Sequence, residues 1–198
     1  GISDHAPVTT KFFDDWRMLD SDMPKYLDWI ERARAHASDR INVRCGLECD
    51  WLPGCQPWIE SLRHRHAWDY LIGSVHYLGD NWDFDNPKWL GKWADTDVEL
   101  VWQKYCDTYI AMADSGQFDI LAHPDLIKKF GYRPAGDLSR YYEPVIDAIA
   151  TSGAISATVG VFDMACAAPF GDTPKANTRP IARAPTRAGD RVFVVSIP

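Results

Sequence analysis

Three short apolar segments of the sequence have patterns typical of β-strands. The first alternates apolar and polar side chains, and the other two are nearly continuous apolar runs, as in strands buried on both faces. These segments cover residues 41–47, 70–75 and 118–122. Each is followed at once by a side chain that can bind a metal, and a short segment at the start of the sequence ends in the same way. The residues at these four ends are His5, Glu48, His76 and His123.

Helical patterns separate the predicted strands. Apolar positions recur at helical spacing, with Pro24 suited to a first turn and Gly116 and Gly153 suited to helix ends. The predicted helices cover residues 24–37, 58–67, 98–115 and 141–152. Alternation of strands and helices predicts an α/β fold with parallel strands, whose carboxyl ends meet at one edge. The four side chains named above are therefore expected to converge.

A metal site is the functional interpretation of this recurrence. One histidine at a strand end is more often a structural residue, but histidine with carboxylate at four such ends favours zinc, manganese or iron over calcium or magnesium. The pair His64 and His66 differs, because residues two apart on a helix point to different faces. We interpret that pair, and His36 in the last turn of its helix, as surface residues.

The loop at 81–89 mixes tryptophan, aspartate and asparagine after His76. Two interpretations stay open: a structural loop packed on its tryptophan rings, or a lid whose acidic groups meet a cationic substrate.

Composition and charge narrow the function classes. A chain of 198 residues with 46% hydrophobic residues fits one globular domain. The net charge of −7 argues against nucleic acid as the main partner. No apolar run approaches a membrane span, and we expect no membrane partner. The five cysteines are an odd number without a metal or redox spacing, which favours reduced thiols in a cytoplasmic protein.

Four motifs in order carry a family resemblance. They read SDHAP at 3–7, GLECD at 46–50, DYLIGSVH at 69–76 and FDILAHPDL at 118–126. Together they resemble the polymerase and histidinol phosphatase (PHP) family, of the histidinol-phosphatase type, over residues 1–153. The resemblance implies a distorted seven-stranded (β/α) barrel of TIM-like form with up to three divalent metal ions. It also implies hydrolysis of L-histidinol phosphate to L-histidinol and phosphate in histidine biosynthesis.

The resemblance also assigns residues. Glu48 matches a carboxylate that bridges two metals, and His76 and His123 match the other ligands of one of them. His5 matches a ligand of the third metal. The expected nucleophile is metal-bound water, so no nucleophilic side chain is expected.

A small phosphate ester also calls for a fixed cation in the protein. Lys128, Lys129 and Arg133 follow the His123 strand, and a solvated basic turn is the alternative interpretation for them. We select Arg133 as the phosphate-binding residue, because a guanidinium binds phosphate bidentately.

Two elements of the family pattern are not found in the sequence. The opening strand with a His-x-His pair and the closing strand with Asp-x-His have no counterpart, so we expect a barrel without its first and last strands. Residues 154–198 are expected to be a divergent or frameshifted tail behind a partial barrel domain at 1–153.

Three functions follow from this pattern. The first is a histidinol phosphatase, whose activity in this chain is weak or absent if the metal site is incomplete. The second is a PHP phosphoesterase with another substrate. The third is a non-catalytic metal-binding remnant. A polymerase-associated nuclease domain is disfavoured by the net charge of −7.

Overall fold

A parallel sheet organises the molecule. The computed structural model describes residues 1–8, 16–37, 41–79, 81–157 and 195–196. The strands are β1 (Ile2–His5), β2 (Cys45–Asp50), β3 (Tyr70–Ser74), β4 (Ile120–Ala122), β5 (Ile155–Ala157) and β6 (Val195–Ser196). They lie in the order β5-β4-β3-β2-β1-β6, and every neighbouring pair is parallel. The predicted α/β class with parallel strands is confirmed, and among the described strands β5 and β6 form the two edges.

Strand β2 differs from its predicted bounds. It begins at Cys45 rather than at Ile41, and it continues to Asp50, so Glu48 lies inside the strand. The predicted start was wrong because alternation alone does not show burial: Ile41 is exposed, whereas every residue of β2 is buried. Residues 45–48 pair with β1 and residues 46–50 pair with β3.

Within the described residues, five α-helices accompany the strands. They are α1 (Met23–Ala37), α2 (Gln56–Arg63), α3 (Leu90–Ala94), α4 (Val98–Asp114) and α5 (Ser139–Ser152). The four predicted helices are present with shifted ends, and α3 was not predicted. Asp97 caps the start of α4, since its carboxylate accepts from two backbone amides of the first turn, and Gly153 caps the end of α5 with φ of 73°. His64 follows the end of α2 and is exposed, as expected of a surface residue.

The two faces of β2 have different roles. Cys45, Leu47 and Cys49 belong to the large apolar core, together with buried side chains of α1, α2, α4 and α5. Gly46, Glu48 and Asp50 alternate with them and face the other way. A smaller apolar cluster of Tyr70, Ile72, Ile120 and Ala122 lies beside that second face. The second face therefore carries both packing and chemistry.

Gly46 is required by a close approach of the Tyr70 ring. A Cβ atom added at Gly46 would lie 2.3 Å from Cε2 of Tyr70. At Gly91 in α3, by contrast, an added Cβ would meet no other atom within 4 Å. We expect Gly46→Ala to lower the free energy of unfolding by about 1–3 kcal/mol through overpacking. Gly91→Ala is the matched control, and alanine in a helix is favoured over glycine by roughly 0.5–1 kcal/mol. Urea denaturation of both variants checks this, and equal stability of the two would contradict the packing seen here.

The four described cysteines are buried and free, and Cys166 lies outside the described residues. Burial raises the pKa of Cys45 to about 11 and that of Cys106 to about 12, so these thiols stay protonated near neutral pH. Within the described part of the chain, none of the helices combines the length and the apolar character that crossing a bilayer would take.

Candidate metal centre

Four predicted ligands are positioned by the carboxyl-terminal halves of neighbouring strands. His5 ends β1 and is paired in register with Glu48 of β2. His76 follows the end of β3 by two residues, and His123 comes directly after β4. Because the strands are parallel and adjacent, these four side chains lie together at the carboxyl ends of the strands.

Glu48 is the common neighbour of the three histidines. Its Oε1 lies 3.3 Å from Nε2 of His76, 3.5 Å from Nε2 of His123 and 4.0 Å from Nδ1 of His5. Ligand atoms of His5, Glu48 and His76 all lie within 4.8 Å of one another. Glu48, His76 and His123 are buried, and the side chain of His5 is 13% exposed. The three histidines thus surround the carboxylate of Glu48.

The distances between these ligand atoms, and the ring nitrogens that lack a hydrogen-bond partner, fit a divalent metal ion. Two ligand atoms each about 2.0–2.1 Å from a tetrahedral ion lie about 3.3 Å apart, close to the distances from Glu48 to His76 and His123. Nδ1 of His5 and Nδ1 of His123 are buried, and neither has a hydrogen-bond partner in the described structure. A buried nitrogen without a partner is costly, and at His5 a bound ion would satisfy it.

Burial and neighbouring charges shift the pKa values of Glu48, His76 and His5. Burial alone would raise the pKa of Glu48, but hydrogen bonds from His123 and His76 outweigh burial and hold that pKa well below its usual range. Burial alone would lower the pKa of His76, but the charge of Asp85 and its hydrogen bond raise it well above the ordinary value. Burial lowers the pKa of His5. Nε2 of His76 faces Glu48 and is the nitrogen that a metal ion would take, after loss of any proton there.

The backbone of His123 has an uncommon conformation. Its φ is 28°, which few non-glycine residues adopt. Two tyrosines of α4 fix the peptide there, because the hydroxyl of Tyr105 donates to the carbonyl of His123 and that of Tyr109 to the carbonyl of Ala122, each at 2.9 Å. Helix α4 thereby holds the end of β4 and directs this imidazole to Glu48.

The loop after His76 folds back onto the site. Tyr77 and Asp83 form an antiparallel bridge, and the amide of Phe84 donates to the carbonyl of His76 at 3.1 Å. The return brings Oδ1 of Asp85 to 3.1 Å from Nδ1 of His76. Asp85 thus hydrogen-bonds the ring nitrogen opposite the one that faces Glu48, as carboxylates behind metal-binding histidines do.

The loop after His76 is packed on its aromatic rings and also borders a cleft. Trp82 and Phe84 are buried and pack edge-on against Trp93, whose indole donates to the carbonyl of Phe84 at 2.8 Å. The same loop lines a cleft of about 250 Å³ that opens beside the metal ligands. The cleft is lined by His5, Trp16, His76, Asp83, Asp85, Asn86 and Lys129. The packed tryptophans hold the loop, and its acidic residues reach the cleft.

Basic residues near the site differ in position. Nζ of Lys129 lies 3.0 Å from Oδ2 of Asp85 and faces the cleft. Lys128 pairs instead with Asp125, at 3.4 Å. Arg133, selected as the phosphate-binding residue, is exposed and does not line the cleft. The structure brings the four metal-ligand candidates together and places Lys129 with them.

A buried ion pair supports the other side of the centre. Arg17 contacts Asp50 of β2 through a salt bridge, and both side chains are fully buried. Its guanidinium stacks between the rings of Trp16 and Tyr77, at 4.1 and 4.9 Å from the centroids. Trp16 in turn packs edge-on against His5, with centroids 4.5 Å apart. This pair therefore fixes the tryptophan that walls the cleft.

Comparison with known proteins shows which family has this sequence pattern. A family model described as "PHP domain" matches residues 1–155. The chain belongs to the PHP family. The match includes Glu48, the three histidines around it, and strands β1 to β4 in full, and it ends at the first residue of β5.

Relatives of this PHP domain carry histidinol-phosphatase names. A protein of Deinococcus radiodurans named "Probable histidinol-phosphatase" is 37% identical over 131 residues, which cover 66% of this chain and 50% of that protein. The chain therefore spans about half the length of this curated relative.

Solved structures support the same fold. A histidinol phosphate phosphatase of Lactococcus lactis subsp. lactis, solved with zinc, L-histidinol and phosphate, matches with a TM-score of 0.58 and 17% identity, over 73% of this chain and 56% of that one. A chain from Listeria monocytogenes matches with a TM-score of 0.56 and 18% identity, over 76% and 64%.

Asp85 was not predicted from the sequence as a site residue of this PHP domain. The acidic character of its loop was the available signal, but nothing in the sequence shows which carboxylate turns back onto His76. Burial alone would raise the pKa of Asp85, but the charges of His76 and Lys129 outweigh burial and lower it, so the group is ionised. Asp85 is thus suited to fix the orientation of His76.

Asp85→Asn is expected to weaken metal binding to the PHP domain about 10–100-fold, because the ionised carboxylate that orients His76 is lost. Asp95→Asn, at an exposed position after α3, is the matched control. Titration of the metal-free proteins with zinc, followed by calorimetry, measures the difference. Equal zinc affinities for the two variants would show that Asp85 does not act through His76.

Proposed function

We propose that this PHP domain is a metal-dependent phosphomonoesterase that acts on L-histidinol phosphate. The observation that carries the proposal is the convergence of His5, His76 and His123 on the carboxylate of Glu48, beside an open cleft. Paired histidines and a carboxylate form the ligand set of hydrolytic metal centres. The names of the relatives support this substrate, whose hydrolysis would belong to histidine biosynthesis.

Each residue has a distinct part in the proposed site. His5, Glu48, His76 and His123 would hold zinc, manganese or iron. When bound, such ions neutralise phosphoryl oxygens and make water acidic enough to act as the nucleophile. Glu48 is ionised and touches all the other ligands, so it can serve more than one ion. Asp85 keeps the Nδ1 side of His76 occupied and leaves its Nε2 directed to the centre.

The cleft suits a small substrate with a cationic end. Asp83 supplies a carboxylate, Trp16 supplies an aromatic wall, and Asn86 donates to Asp83 at 2.9 Å. Burial raises the pKa of Asp83 to about 6, so this carboxyl is ionised near neutral pH. An amine or imidazole would lie against these groups while the phosphoryl group faces the metal ligands.

We infer further that the parallel sheet is part of a barrel of the PHP type. The second face of β2 carries Glu48, and the small apolar cluster of β3 and β4 lies beside it, as side chains on the inner face of a barrel would. The proposed barrel domain ends near residue 153, and β5 follows that boundary directly. Residues 158–194 and 197–198, which hold most of the expected tail, lie outside the described residues.

Phosphate release tests the proposal. The purified protein, supplied with zinc, manganese or iron, is offered L-histidinol phosphate and p-nitrophenyl phosphate in parallel. We expect release that is faster from L-histidinol phosphate, that is abolished by a chelator, and that His76→Ala removes. His36→Gln, at an exposed position in α1, serves as the control variant. Release from the generic ester alone would indicate another substrate, and bound metal without any release would indicate a non-catalytic metal-binding protein.

A further inference from the structure

We propose that Lys129 supplies the fixed cation that binds the phosphoryl group in the cleft, in place of Arg133. This inference rests on the proposed phosphoesterase function, whose substrate carries a dianion. Among the described residues that line the cleft, Lys129 is the one with a permanently cationic side chain, and it shares that lining with the metal ligands His5 and His76. A phosphoryl group beside the metal ligands would therefore also meet its ammonium group.

A short turn after His123 places Lys129 at the cleft. The amide of Leu126 donates to the carbonyl of His123 at 3.1 Å, and the amide of Lys129 donates to the carbonyl of Leu126 at 2.9 Å. The turn is thus anchored to a metal-ligand candidate. It sends the neighbouring Lys128 elsewhere, since that ammonium pairs with Asp125 and lies 4.8 Å from the ring centroid of Tyr142.

Asp85 holds Lys129 without exhausting its hydrogen-bonding capacity. An ammonium group has three N–H donors, and one of them is directed to Oδ2 of Asp85 at 3.0 Å. The side chain of Lys129 is 34% exposed, whereas that of Asp85 is 11% exposed. The remaining donors can therefore reach a ligand in the cleft, while the hydrogen bond to Asp85 restricts the conformations of the long side chain.

The same carboxylate links the cation to the metal centre. Oδ1 of Asp85 accepts from His76, and Oδ2 accepts from Lys129. A metal ion on His76 would add positive charge to the Asp85 side of the pair. The negative charge of Asp85 would then be balanced by the metal on His76 as well as by Lys129, and the charge of Lys129 would be available to an oxyanion.

A purely structural role for Lys129 gives a different expectation. In that case the lysine only neutralises Asp85, and its loss would alter metal binding through His76. Phosphate binding at equal metal content would then stay as in the wild type. Metal content and phosphate affinity must therefore be measured on the same samples.

The test compares Lys129→Gln with Lys128→Gln, a matched control one residue away, and with Arg133→Gln. Inorganic phosphate is the probe, titrated calorimetrically into metal-loaded protein whose metal content is determined in parallel. We expect Lys129→Gln to bind phosphate about 10–100-fold more weakly at unchanged metal content, since a charge-assisted hydrogen bond is lost. Lys129→Arg, which keeps the charge, should recover most of the affinity, and the other two variants should match the wild type.

Equal phosphate affinity for Lys129→Gln and Lys128→Gln at equal metal content would overturn the proposal, as would a loss confined to Arg133→Gln. Absence of phosphate binding by the metal-loaded wild type would overturn it as well. The outcome for hydrolysis is separate. Phosphate binding that depends on Lys129 without hydrolysis would uphold the anion site and reject the phosphatase. Hydrolysis together with phosphate binding that does not depend on Lys129 would uphold the phosphatase and reject the anion site.

Discussion

Glu48→Gln is expected to lower the affinity for zinc or manganese by more than about 100-fold, and so to leave the purified protein almost free of metal. Oε1 of Glu48 is the atom that His5, His76 and His123 all approach, at 3.3 to 4.0 Å. Glutamine has nearly the same shape but lacks the negative charge that a cation requires at this point. The loss should exceed that of Asp85→Asn, which acts only through the orientation of His76.

Glu60→Gln is the control for the loss of one carboxylate. Glu60 also lies beside a histidine, His64, at 2.9 Å, but that pair is on the exposed surface of α2. Elemental analysis after dialysis against a fixed zinc concentration gives the metal content of both variants. A Glu48→Gln protein that retains as much zinc as Glu60→Gln would place the metal elsewhere in the chain.

Asp50→Asn is expected to give the largest loss of stability, about 3–5 kcal/mol in the free energy of unfolding. The substitution leaves the guanidinium of Arg17 buried without its counter-charge. Burial alone would lower the pKa of Arg17, but the charge of Asp50 and its hydrogen bond outweigh burial and raise it. The midpoint and slope of urea denaturation measure the effect.

Two comparisons make the stability result specific to the buried pair. Asp28→Asn breaks an exposed pair with Arg32, of 2.8 Å, and should cost less than about 1 kcal/mol. The double variant Arg17→Met with Asp50→Leu removes both charges and should recover a large part of the loss, because no charge is then left unpaired. A loss for Asp50→Asn no greater than that for Asp28→Asn would mean that Arg17 and Asp50 do not form the pair seen here.

The ends of the strands could be predicted from the sequence because burial and chemistry change there abruptly. The apolar run at 70–75 passes directly into His76, and β3 ends at Ser74 as that change suggests. The start of β2 could not be predicted, since residues 41–47 all alternate although pairing with a neighbouring strand begins only at Cys45. Alternation reports a pleated pattern, whereas the bounds of a strand depend on its partners.

The convergence of the four metal-ligand candidates followed from topology, because parallel neighbours bring their carboxyl ends together. Asp85 and Lys129 did not follow from it. Each reaches the site through a loop or short turn whose path is set by local hydrogen bonds, such as that from Phe84 to the carbonyl of His76. Sequence favoured Arg133 on chemical grounds alone, and only the path of the turn after His123 shows which cation lines the cleft.

Anomalous diffraction from crystals of this protein grown with manganese or zinc tests the central claim most directly. The account predicts an anomalous peak about 2.0–2.2 Å from an oxygen of Glu48 and within the same range of a nitrogen of His5 or His76. Further peaks that share Glu48 and include His123 would show that its carboxylate bridges metals. A strong peak at a surface histidine such as His64, with none beside Glu48, would contradict the account.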